Sequence, residues 1–419
     1  MKKNAIYAQS GGVTAVINAS ACGVITTCRD NEQIEVLYAA QNGILGILNE
    51  NLIDTSFETK EDIALLRYTP GGAFGSCRYK LKSLEENRKE YQRLIEVFSA
   101  YNIGYFFYNG GNDSADTCLK VSQIAQELGY PINAIHIPKT IDNDLVVTDN
   151  CPGYGSVAKY VATSILEAGF DLNSMFATST KVFILEVMGR HAGWIAASCG
   201  LASKAIGEPP HIILFPEIQF DLKRFLKKIL DTVSKYGYCV IAVSEGIKLQ
   251  ENDLIDNSRG VDAFGHRQLG GISAILANII SNELKLKCHY AIADYLQRSA
   301  RHLASRTDIE QAYYLGAMAV KLALNKHNAI MPYIKRISQE PYLWEIDYVN
   351  LNEVANKEKY LPRDFIDEEG FHITKNCRDY IEPLIRGEDY PVYVNGLPQY
   401  VKLKNQLVVK KLSEFSSVV

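Results

Sequence analysis

The stretch IGYFFYNGGNDS, from Ile103 to Ser114, decides the fold class of this chain. An apolar run of strand length ends in a Gly-Gly turn, and residues of helical period follow from Ser114. The same order occurs at Ala5 to Ala8, which is followed by a predicted helix from about Thr14. Short apolar strands that alternate with helices are typical of a parallel sheet with crossover helices, so the sequence predicts an α/β fold.

Further units of this kind follow along the chain. Apolar runs of strand length occur at Ala134 to Ile137, Lys181 to Val187 and His211 to Phe215. The amphipathic run Asp221 to Lys235 predicts a helix, and it leads into a strand at Tyr238 to Val243. These strands suffice for two sheets, and 419 residues exceed one typical domain, so we expect two α/β domains.

The pattern weakens beyond about residue 330. There the sequence predicts a C-terminal extension, residues 331–419, with a hairpin in which Asn395-Gly396 turns between Tyr390 to Val394 and Leu397 to Leu403. The extension shows no residues that indicate site chemistry.

Composition excludes several classes of function. A formal net charge of −4 gives no broad electrostatic reason to bind nucleic acid or a membrane surface. The nine cysteines contain no CxxC pair, which argues against a zinc site and a disulfide framework and favours a reducing compartment such as the cytoplasm. The longest apolar runs are of strand length, so no signal peptide and no membrane span are predicted.

Two glycine-rich turns could hold phosphate. Ser10-Gly11-Gly12 follows the first strand and opens onto the first predicted helix, where free N–H groups and the positive helix end favour an anion. Pro70 to Arg78 is a second glycine-rich loop, and it carries a cation that could reach a phosphoryl group. Turns of this kind also occur for packing reasons or at the surface, so neither is decisive alone.

Two further turns carry charged side chains. In Gly110 to Ser114, Asp113 or Ser114 could cap the following helix, while the Gly-Gly pair permits close approach of a ligand to the backbone. Pro138 to Asp144 places Lys139, Asp142 and Asp144 in one strand-end turn. A solvated acidic loop is the plain interpretation; the functional one assigns one carboxylate to a proton and the other to a metal-bound phosphate.

Seven motifs, taken in order, resemble the phosphofructokinase family over roughly Ala5 to Ser305. They are QSGG, GGAFGSCR, GGNDS, PKTIDND, EVMGRHAGW, SEG and YLQR. The resemblance implies two Rossmann-like three-layer α/β domains with the active site in the cleft between them. Residues 1–155, rejoined by part of 270–310, would then bind the phosphoryl donor, and residues 156–330 would bind fructose 6-phosphate.

The resemblance also implies roles on the donor side. Gly11 and Gly12 would bind the donor's phosphates, Gly11 through its backbone N–H, and Arg78 would steady the transferred phosphoryl group. Asp142 would be the general base that takes the proton from the 1-hydroxyl of fructose 6-phosphate. Asp144 would help to hold Mg²⁺, the implied cofactor.

The sugar side follows in the same way. Met188, Gly189, Arg190 and Glu245 match family positions that hold the sugar. The resemblance adds Thr140, Ile141 and Asp142 as sugar contacts. It also implies that Tyr295 and Arg298 contact the 6-phosphate and that Lys181 contacts a phosphate from a neighbouring subunit. Lysine at that last position keeps the charge of the family's arginine but not its bidentate geometry. His191 and Trp194 are interpreted as packing or helix-start residues.

Asp113 and Lys139 resemble the pyrophosphate-using branch of the family. ATP-using members have glycine at both positions. Asp113 would place a side chain and a negative charge where the nucleotide's α-phosphate would lie, which excludes ATP. Lys139 would put a cation beside the leaving phosphate, so both residues bear on the donor.

Asn112 departs from the pattern, since most relatives have a magnesium-binding aspartate there. Asparagine offers an oxygen without a charge. Either Asp113 and Asp144 hold the metal instead, or Asn112 coordinates it weakly or through water.

The resemblance predicts reversible transfer from pyrophosphate to fructose 6-phosphate, a step of glycolysis and gluconeogenesis. Two alternatives stay open: an ATP-dependent enzyme of the same fold, and a catalytically silent relative that binds sugar phosphates. A related sugar such as sedoheptulose 7-phosphate could also be accepted. A site that takes Lys181 from a neighbour requires a homo-oligomer, a dimer or a tetramer.

Overall fold

The computed structural model describes residues 2–249 and 271–415. These residues form two compact units, of which the first combines the chain up to Gly153 with Arg306–Glu358 and the part from Gly387 onward. The second unit combines Tyr154–Ser305 with Lys359–Arg386.

Strands and helices alternate along the described chain, and the α/β class predicted from the sequence is confirmed. The strands are β1 Lys3–Gln9, β2 Ile34–Ala40, β3 Leu52–Asp54, β4 Ile103–Gly110, β5 Asn133–Pro138, β6 Val182–Val187, β7 Ile212–Leu214, β8 Cys239–Ser244, β9 Cys288–Ile292, β10 Ile330–Ser338, β11 Leu343–Asn350, β12 Tyr393–Val394 and β13 Leu397–Pro398. The α-helices are α1 Ile17–Arg29, α2 Ile44–Leu48, α3 Lys60–Leu66, α4 Arg88–Ala100, α5 Asn112–Glu127, α6 Tyr154–Met175, α7 Trp194–Cys199, α8 Leu222–Tyr236, α9 Ile272–Leu284, α10 Asp294–Ser299, α11 Arg306–Leu324 and α12 Lys375–Ile381.

In the first unit, seven of the described strands form one sheet in the order β11-β10-β5-β4-β1-β2-β3. The central strands β1, β4 and β5 pair in parallel, so their carboxyl ends lie at the same edge of the sheet. The turns that follow Gln9, Gly110 and Pro138 are therefore neighbours, and the carboxyl edge of a parallel sheet is where ligands of such folds bind.

The C-terminal part of the chain is more structured than the sequence predicts. The antiparallel pair β10 and β11 extends the first unit's sheet beyond β5. No strand was predicted at β11 because no continuous apolar run marks it, and four of its eight residues are exposed. The alternation of apolar and charged residues from Trp344 to Tyr348 is the strand signal that was missed. The hairpin around Asn395-Gly396 is present with left-handed backbone at both residues, but its strands are only two residues long.

Helix α11 brings the chain back to the first unit. It crosses α1 closely because a Cβ atom at Gly23 would lie 2.1 Å from the Tyr313 carbonyl oxygen, and one at Gly316 would lie 2.2 Å from the Ser20 carbonyl oxygen. The segment that returns to the first unit starts at Arg306. The glycines that permit this contact carry no periodic apolar signal, so sequence patterning does not reveal it.

In the second unit, the described strands form a parallel sheet in the order β7-β8-β6-β9. Helix α8 corresponds to the predicted helix at Asp221 to Lys235. The Asp221 side chain accepts a hydrogen bond from the Arg224 N–H, and Gly237 ends the helix in left-handed conformation. No helix among the described residues has the length and apolar character needed to cross a membrane.

Candidate active site

The Gly11-Gly12 turn of the first unit lies against the loop Pro70 to Arg78. The Gly11 N–H donates to the Cys77 carbonyl oxygen at 2.9 Å, and the Ser76 hydroxyl donates to the Gly11 carbonyl oxygen at 2.7 Å. The structure thus brings together two turns whose bonded residues, Ser76 and Gly11, are 65 positions apart in sequence. A phosphate contact through the Gly11 N–H, as the resemblance implies, would require the bond to Cys77 to be given up.

The first helix starts later than predicted. Helix α1 begins at Ile17, with Val16 at its N-cap position, and the expected start near Thr14 is wrong. Gly12 therefore does not lie at a helix N-terminus, and the favourable helix dipole expected for this turn is displaced along the chain. A different positive group faces the turn.

That group is the ammonium of Lys139. Its Nζ donates to the Gly12 carbonyl oxygen at 2.6 Å, and a Cβ atom at Gly11 would lie 3.5 Å from it. The residue follows β5 directly, and its N–H donates to the Gly110 carbonyl oxygen at 2.9 Å. Lys139 is only 3% exposed, so a buried cation joins the ends of three parallel strands.

Helix α5 begins directly after β4, and its cap differs from the prediction. Gly111 is at the N-cap position, while Asp113 and Ser114 lie inside the first turn and neither caps the helix. At Gly110 a Cβ atom would lie 2.1 Å from the Ser114 Oγ, so this glycine is required for packing. At Gly111 the nearest atom would be the Lys139 carbonyl oxygen at 3.6 Å, which leaves this glycine as the one open to close approach.

Asp113 forms an ion pair that the sequence analysis missed. Its carboxylate lies 2.8 Å from the Lys80 ammonium, with the two side chains 34% and 46% exposed. The hydrogen bond to Asp113 raises the pKa of Lys80. Lys80 lies two residues beyond Arg78, the end of the glycine-rich loop, and this short separation was the signal available in the sequence.

The Asn112 side chain has a defined orientation. Its amide nitrogen donates to the carbonyl oxygen of Lys357, which belongs to the C-terminal part of the first unit. The other amide atom, Oδ1, is buried and has no hydrogen-bond partner. A buried carbonyl oxygen without a donor fits a cation, and Mg²⁺ takes one or two protein oxygens together with phosphate and water.

The acidic turn after Lys139 is held by a buried asparagine. Asn143 is fully buried with left-handed backbone (φ 53°), and its Oδ1 accepts from the Cys151 N–H at 2.9 Å. The Thr140 hydroxyl accepts from the Asp142 N–H at 3.1 Å. Asp142 and Asp144 therefore flank a fixed residue, and both are partly exposed. No group of three or more His, Cys, Asp or Glu residues in the described chain is arranged to hold a metal ion.

His136 lies behind this turn and was not predicted. It is fully buried on β5, next to Tyr108 of β4. Burial, with a contribution from the charge of Lys139, lowers the pKa of His136 to about 3. The His136 ring is therefore neutral and adds no positive charge to that of Lys139.

In the second unit, the carboxyl ends of β6 and β8 form one cluster. The Gly189 N–H donates to the Glu245 carboxylate at 3.4 Å, and the Ser244 hydroxyl donates to the Gly189 carbonyl oxygen at 2.6 Å. Gly189 has a φ of 127°, which a side chain would strain. Burial raises the pKa of Glu245, and the nearby Arg190 opposes that shift. The EVMGRHAGW and SEG motifs thus form one polar surface.

Helix α10 joins this cluster through a residue that the sequence analysis missed. The buried Gln297 side chain accepts from the Met188 N–H at 3.2 Å, which fixes α10 beside the end of β6. On the same helix the Arg298 guanidinium lies 3.9 Å from the centre of the Tyr295 ring, and Tyr295 is 63% exposed. The two predicted 6-phosphate contacts therefore lie together, and Gln297 links them to Met188, one of the predicted sugar contacts.

Lys181 lies at the other end of β6. It precedes the strand, its N–H donates to the Lys287 carbonyl oxygen, and its Nζ lies 5.3 Å from the centre of the Phe176 ring. The six-residue strand between Lys181 and Met188 spans about 20 Å. Within one chain the structure does not bring Lys181 to the other sugar-side residues.

The helix-start interpretation of Trp194 is confirmed. It is the first residue of α7, is 2% exposed, and packs against the rings of Tyr154, Phe365 and Tyr380. Its indole N–H donates to the Lys359 carbonyl oxygen at 3.1 Å. Trp194 therefore anchors residues 359–386 to the rest of the second unit.

Glycine turns, a buried lysine and paired carboxylates at the ends of parallel strands define an α/β enzyme that transfers phosphoryl groups. Residues 4–323 match the family described as Phosphofructokinase. The chain belongs to the phosphofructokinase family, and the resemblance predicted from the seven motifs is confirmed.

Relatives extend the match over almost the whole chain. A protein of Halomonas elongata named pyrophosphate–fructose 6-phosphate 1-phosphotransferase is 61% identical over 413 residues, which covers 98% of this chain and 99% of the relative. A protein of the same name from Methylococcus capsulatus is 60% identical over 417 residues, with 99% of both chains covered. The crystal structure of a pyrophosphate-dependent phosphofructokinase from Marinobacter aquaeolei matches with a TM-score of 0.91 and 56% identity, covering 99% of this chain and 100% of the other.

Proposed function

We propose that this chain catalyses reversible, magnesium-dependent transfer of a phosphoryl group from inorganic pyrophosphate to the 1-hydroxyl of fructose 6-phosphate. The products are fructose 1,6-bisphosphate and phosphate, which places the reaction in glycolysis and gluconeogenesis. The names of the relatives support this reaction. The single structural observation that carries the proposal is the buried Lys139 ammonium on the Gly11-Gly12 turn, because a fixed cation suits a compact, highly charged donor.

Asp142 is the general base of the forward reaction. Its carboxylate takes the proton of the 1-hydroxyl as the hydroxyl oxygen bonds to the nearer phosphorus of pyrophosphate. The bond from that phosphorus to the bridging oxygen breaks, and phosphate leaves with the electron pair. Lys139 and Arg78 neutralise the charge that develops on the leaving and transferred groups, since phosphoryl transfer depends mainly on positioning and electrostatics.

Asn112 and Asp144 would hold Mg²⁺. The unpartnered Oδ1 of Asn112 supports this assignment, because the amide nitrogen is committed to the Lys357 carbonyl oxygen and only the oxygen is left to bind a cation. When bound, the ion would neutralise phosphate oxygens of the donor. Because these are few protein ligands, Mg²⁺ would bind together with the donor, whose phosphates would complete the coordination.

The sugar binds the cluster of the second unit. Met188, Gly189, Arg190 and Glu245 contact its hydroxyls, and Tyr295 with Arg298 contacts the 6-phosphate. Thr140, Ile141 and Asp142 contact the reacting end. The stacking of Arg298 on Tyr295 supports this assignment, because it holds the guanidinium in one plane for a phosphate.

We infer a homodimer or homotetramer in which Lys181 contacts the phosphate of a neighbouring subunit. The edge strand β9 supports such an assembly, because its edge away from β6 pairs with no described strand and Tyr290 and Ile292 are 47% and 41% exposed. Mixing impaired Lys181→Met subunits with inactive Asp142→Asn subunits tests this inference. A hybrid contains one unaltered site, so activity should return on mixing; a monomer in light scattering contradicts the inference.

The nine free cysteines support a cytoplasmic location, where thiols stay reduced.

A donor panel tests the reaction itself: fructose 6-phosphate and Mg²⁺ with pyrophosphate, ATP or polyphosphate. We expect turnover with pyrophosphate alone and its loss in Asp142→Asn, with the exposed Asp30→Asn as the matched control. Turnover with ATP would select the ATP-dependent alternative, and tight sugar-phosphate binding without turnover would select the silent one.

A further inference from the structure

The C-terminal segment, residues 399–415, makes contacts that the proposed reaction does not use. We propose that this segment is a positioning element for the donor side, and that it acts through the hydrogen bond from the Asn405 amide to the Ala73 carbonyl oxygen. Ala73 belongs to the loop Pro70 to Arg78, so the proposal rests on the proposed function only where it takes Arg78 as a donor contact.

The body of the first unit holds one side of this loop. The Ala73 N–H donates to the Asn18 side chain at 3.0 Å, and the Asn42 N–H donates to the Phe74 carbonyl oxygen at 2.9 Å. At Gly75 a Cβ atom would lie 2.2 Å from the Asn42 side-chain oxygen, so the loop is pressed against this residue. These bonds fix the loop from the sheet side but leave the Ala73 carbonyl oxygen facing the C-terminal segment.

The C-terminal segment meets the other side of the loop. The Asn405 Nδ2 donates to the Ala73 carbonyl oxygen at 3.0 Å. Four residues earlier, the Val401 N–H donates to the hydroxyl of Thr69, the residue just before the loop, at 3.1 Å. Ala73 is thus bonded through its N–H to the body and through its carbonyl to the segment, and Arg78 follows five residues later.

Two buried carboxylates hold the segment in place. Glu58 accepts from the Lys404 N–H at 3.1 Å and from the Asn405 N–H at 2.8 Å, and Glu50 accepts from the Lys411 N–H at 2.8 Å. Both glutamates are at most 4% exposed. A buried carboxylate is costly unless it is hydrogen-bonded, so departure of the segment would leave two such groups without these donors.

The edge of the sheet adds backbone bonds between these two anchors. The Val408 N–H donates to the Leu52 carbonyl oxygen at 2.9 Å, and the Asp54 N–H donates to the Gln406 carbonyl oxygen at 3.0 Å. The segment therefore covers the edge strand β3 and is a fixed support from which Asn405 reaches the loop.

Asn405 offers a clean test because its backbone is left-handed (φ 48°), a conformation that Asn, Asp and Gly tolerate. Asn405→Gly keeps the backbone turn and removes the bond to Ala73. Asn405→Asp keeps the turn and places a carboxylate oxygen against the Ala73 carbonyl oxygen. Asn395 is the matched control, because it is exposed, left-handed (φ 51°) and on the same C-terminal part.

The experiment compares Gly and Asp variants at both positions in the full-length protein. Hydrogen–deuterium exchange without substrates should show faster exchange in residues 69–78 for the Asn405 variants only. With substrates, one lost hydrogen bond should raise the KM for pyrophosphate about threefold in Asn405→Gly, and more in Asn405→Asp. The KM for fructose 6-phosphate should not change.

Unchanged exchange in residues 69–78 for both Asn405 variants would overturn the proposal, as would equal rises in the KM values of both substrates. If Asn405→Asp does not fold, Asn405→Gly carries the test. Failure of the proposed function is seen separately, because the unaltered protein would then show no turnover with pyrophosphate while the exchange result would still report on the loop.

Discussion

Replacement of Lys139 by methionine should remove the buried positive charge of the proposed donor site. Methionine fills similar space, and the residue is 3% exposed, so the change removes the charge from a buried position at 2.6 Å from the Gly12 carbonyl oxygen. A unit cation about 4 Å from a developing charge contributes about 4 kcal/mol at an effective dielectric constant near 20. That energy corresponds to about a thousandfold loss in kcat with pyrophosphate.

The assay is the steady-state rate with pyrophosphate and fructose 6-phosphate in both directions. Lys120→Met is the matched control, because Lys120 is in the same unit, lies on α5 and pairs with Asp116 at 2.6 Å. The variant should still fold, because the lost hydrogen bond to Gly12 is offset in part by the desolvation cost of the buried ammonium, which methionine does not have. A kcat within about threefold of the unaltered protein would refute the role given to Lys139.

Further predictions concern the surroundings of this lysine. The double change Asp113→Gly and Lys139→Gly should give measurable turnover with ATP, compared with each single change in a donor panel. Lys80→Met should leave the Asp113 carboxylate unpaired, and its negative charge should raise the KM for pyrophosphate by a few fold, which corresponds to the free energy of one exposed ion pair. Steady-state rates at low and high salt measure this change. Asn143→Ala should lower the free energy of unfolding by about 1–3 kcal/mol, because it removes a buried hydrogen bond and strains a left-handed residue; urea unfolding measures it. Since the pKa of His136 lies near 3 in the folded state, stability should fall as pH drops from about 6.5 towards 3, and His136→Phe should flatten that slope.

The sequence predicts the strand-end turns because they depend on local signals. Apolar runs mark the strands, and Gly-rich or Asp-rich turns mark their carboxyl ends, so the sequence alone predicts Gly11, Lys139 and Asp142 at one edge of a sheet. The start of α1 and the cap of α5 could not be placed, because glycine and valine at the N-cap positions leave no side-chain signal.

Contacts between distant parts of the chain were beyond sequence reasoning for another reason. The Asn112 amide bonds to a backbone carbonyl at Lys357, and the Gly11 N–H bonds to a backbone carbonyl at Cys77. Every residue carries a carbonyl, so a partner of this kind has no signature in the sequence. Gln297 gives no signal for a similar reason: its side chain accepts from a backbone N–H, that of Met188, and nothing in the sequence distinguishes it from any other helical glutamine.

The ion pair between Asp113 and Lys80 bears on how Asp113 would exclude ATP. Asp113 was expected to exclude ATP by its size and by its negative charge, but a cation at 2.8 Å neutralises much of that charge. Because both groups are partly exposed, the pair contributes little stability and its main effect is to hold the carboxylate in one place. The exclusion of ATP then depends chiefly on the space that Asp113 occupies. An Asp113→Asn variant keeps the size and removes the charge, so it should still reject ATP, whereas Asp113→Gly should weaken that rejection; ATP turnover by Asp113→Asn would restore the electrostatic explanation.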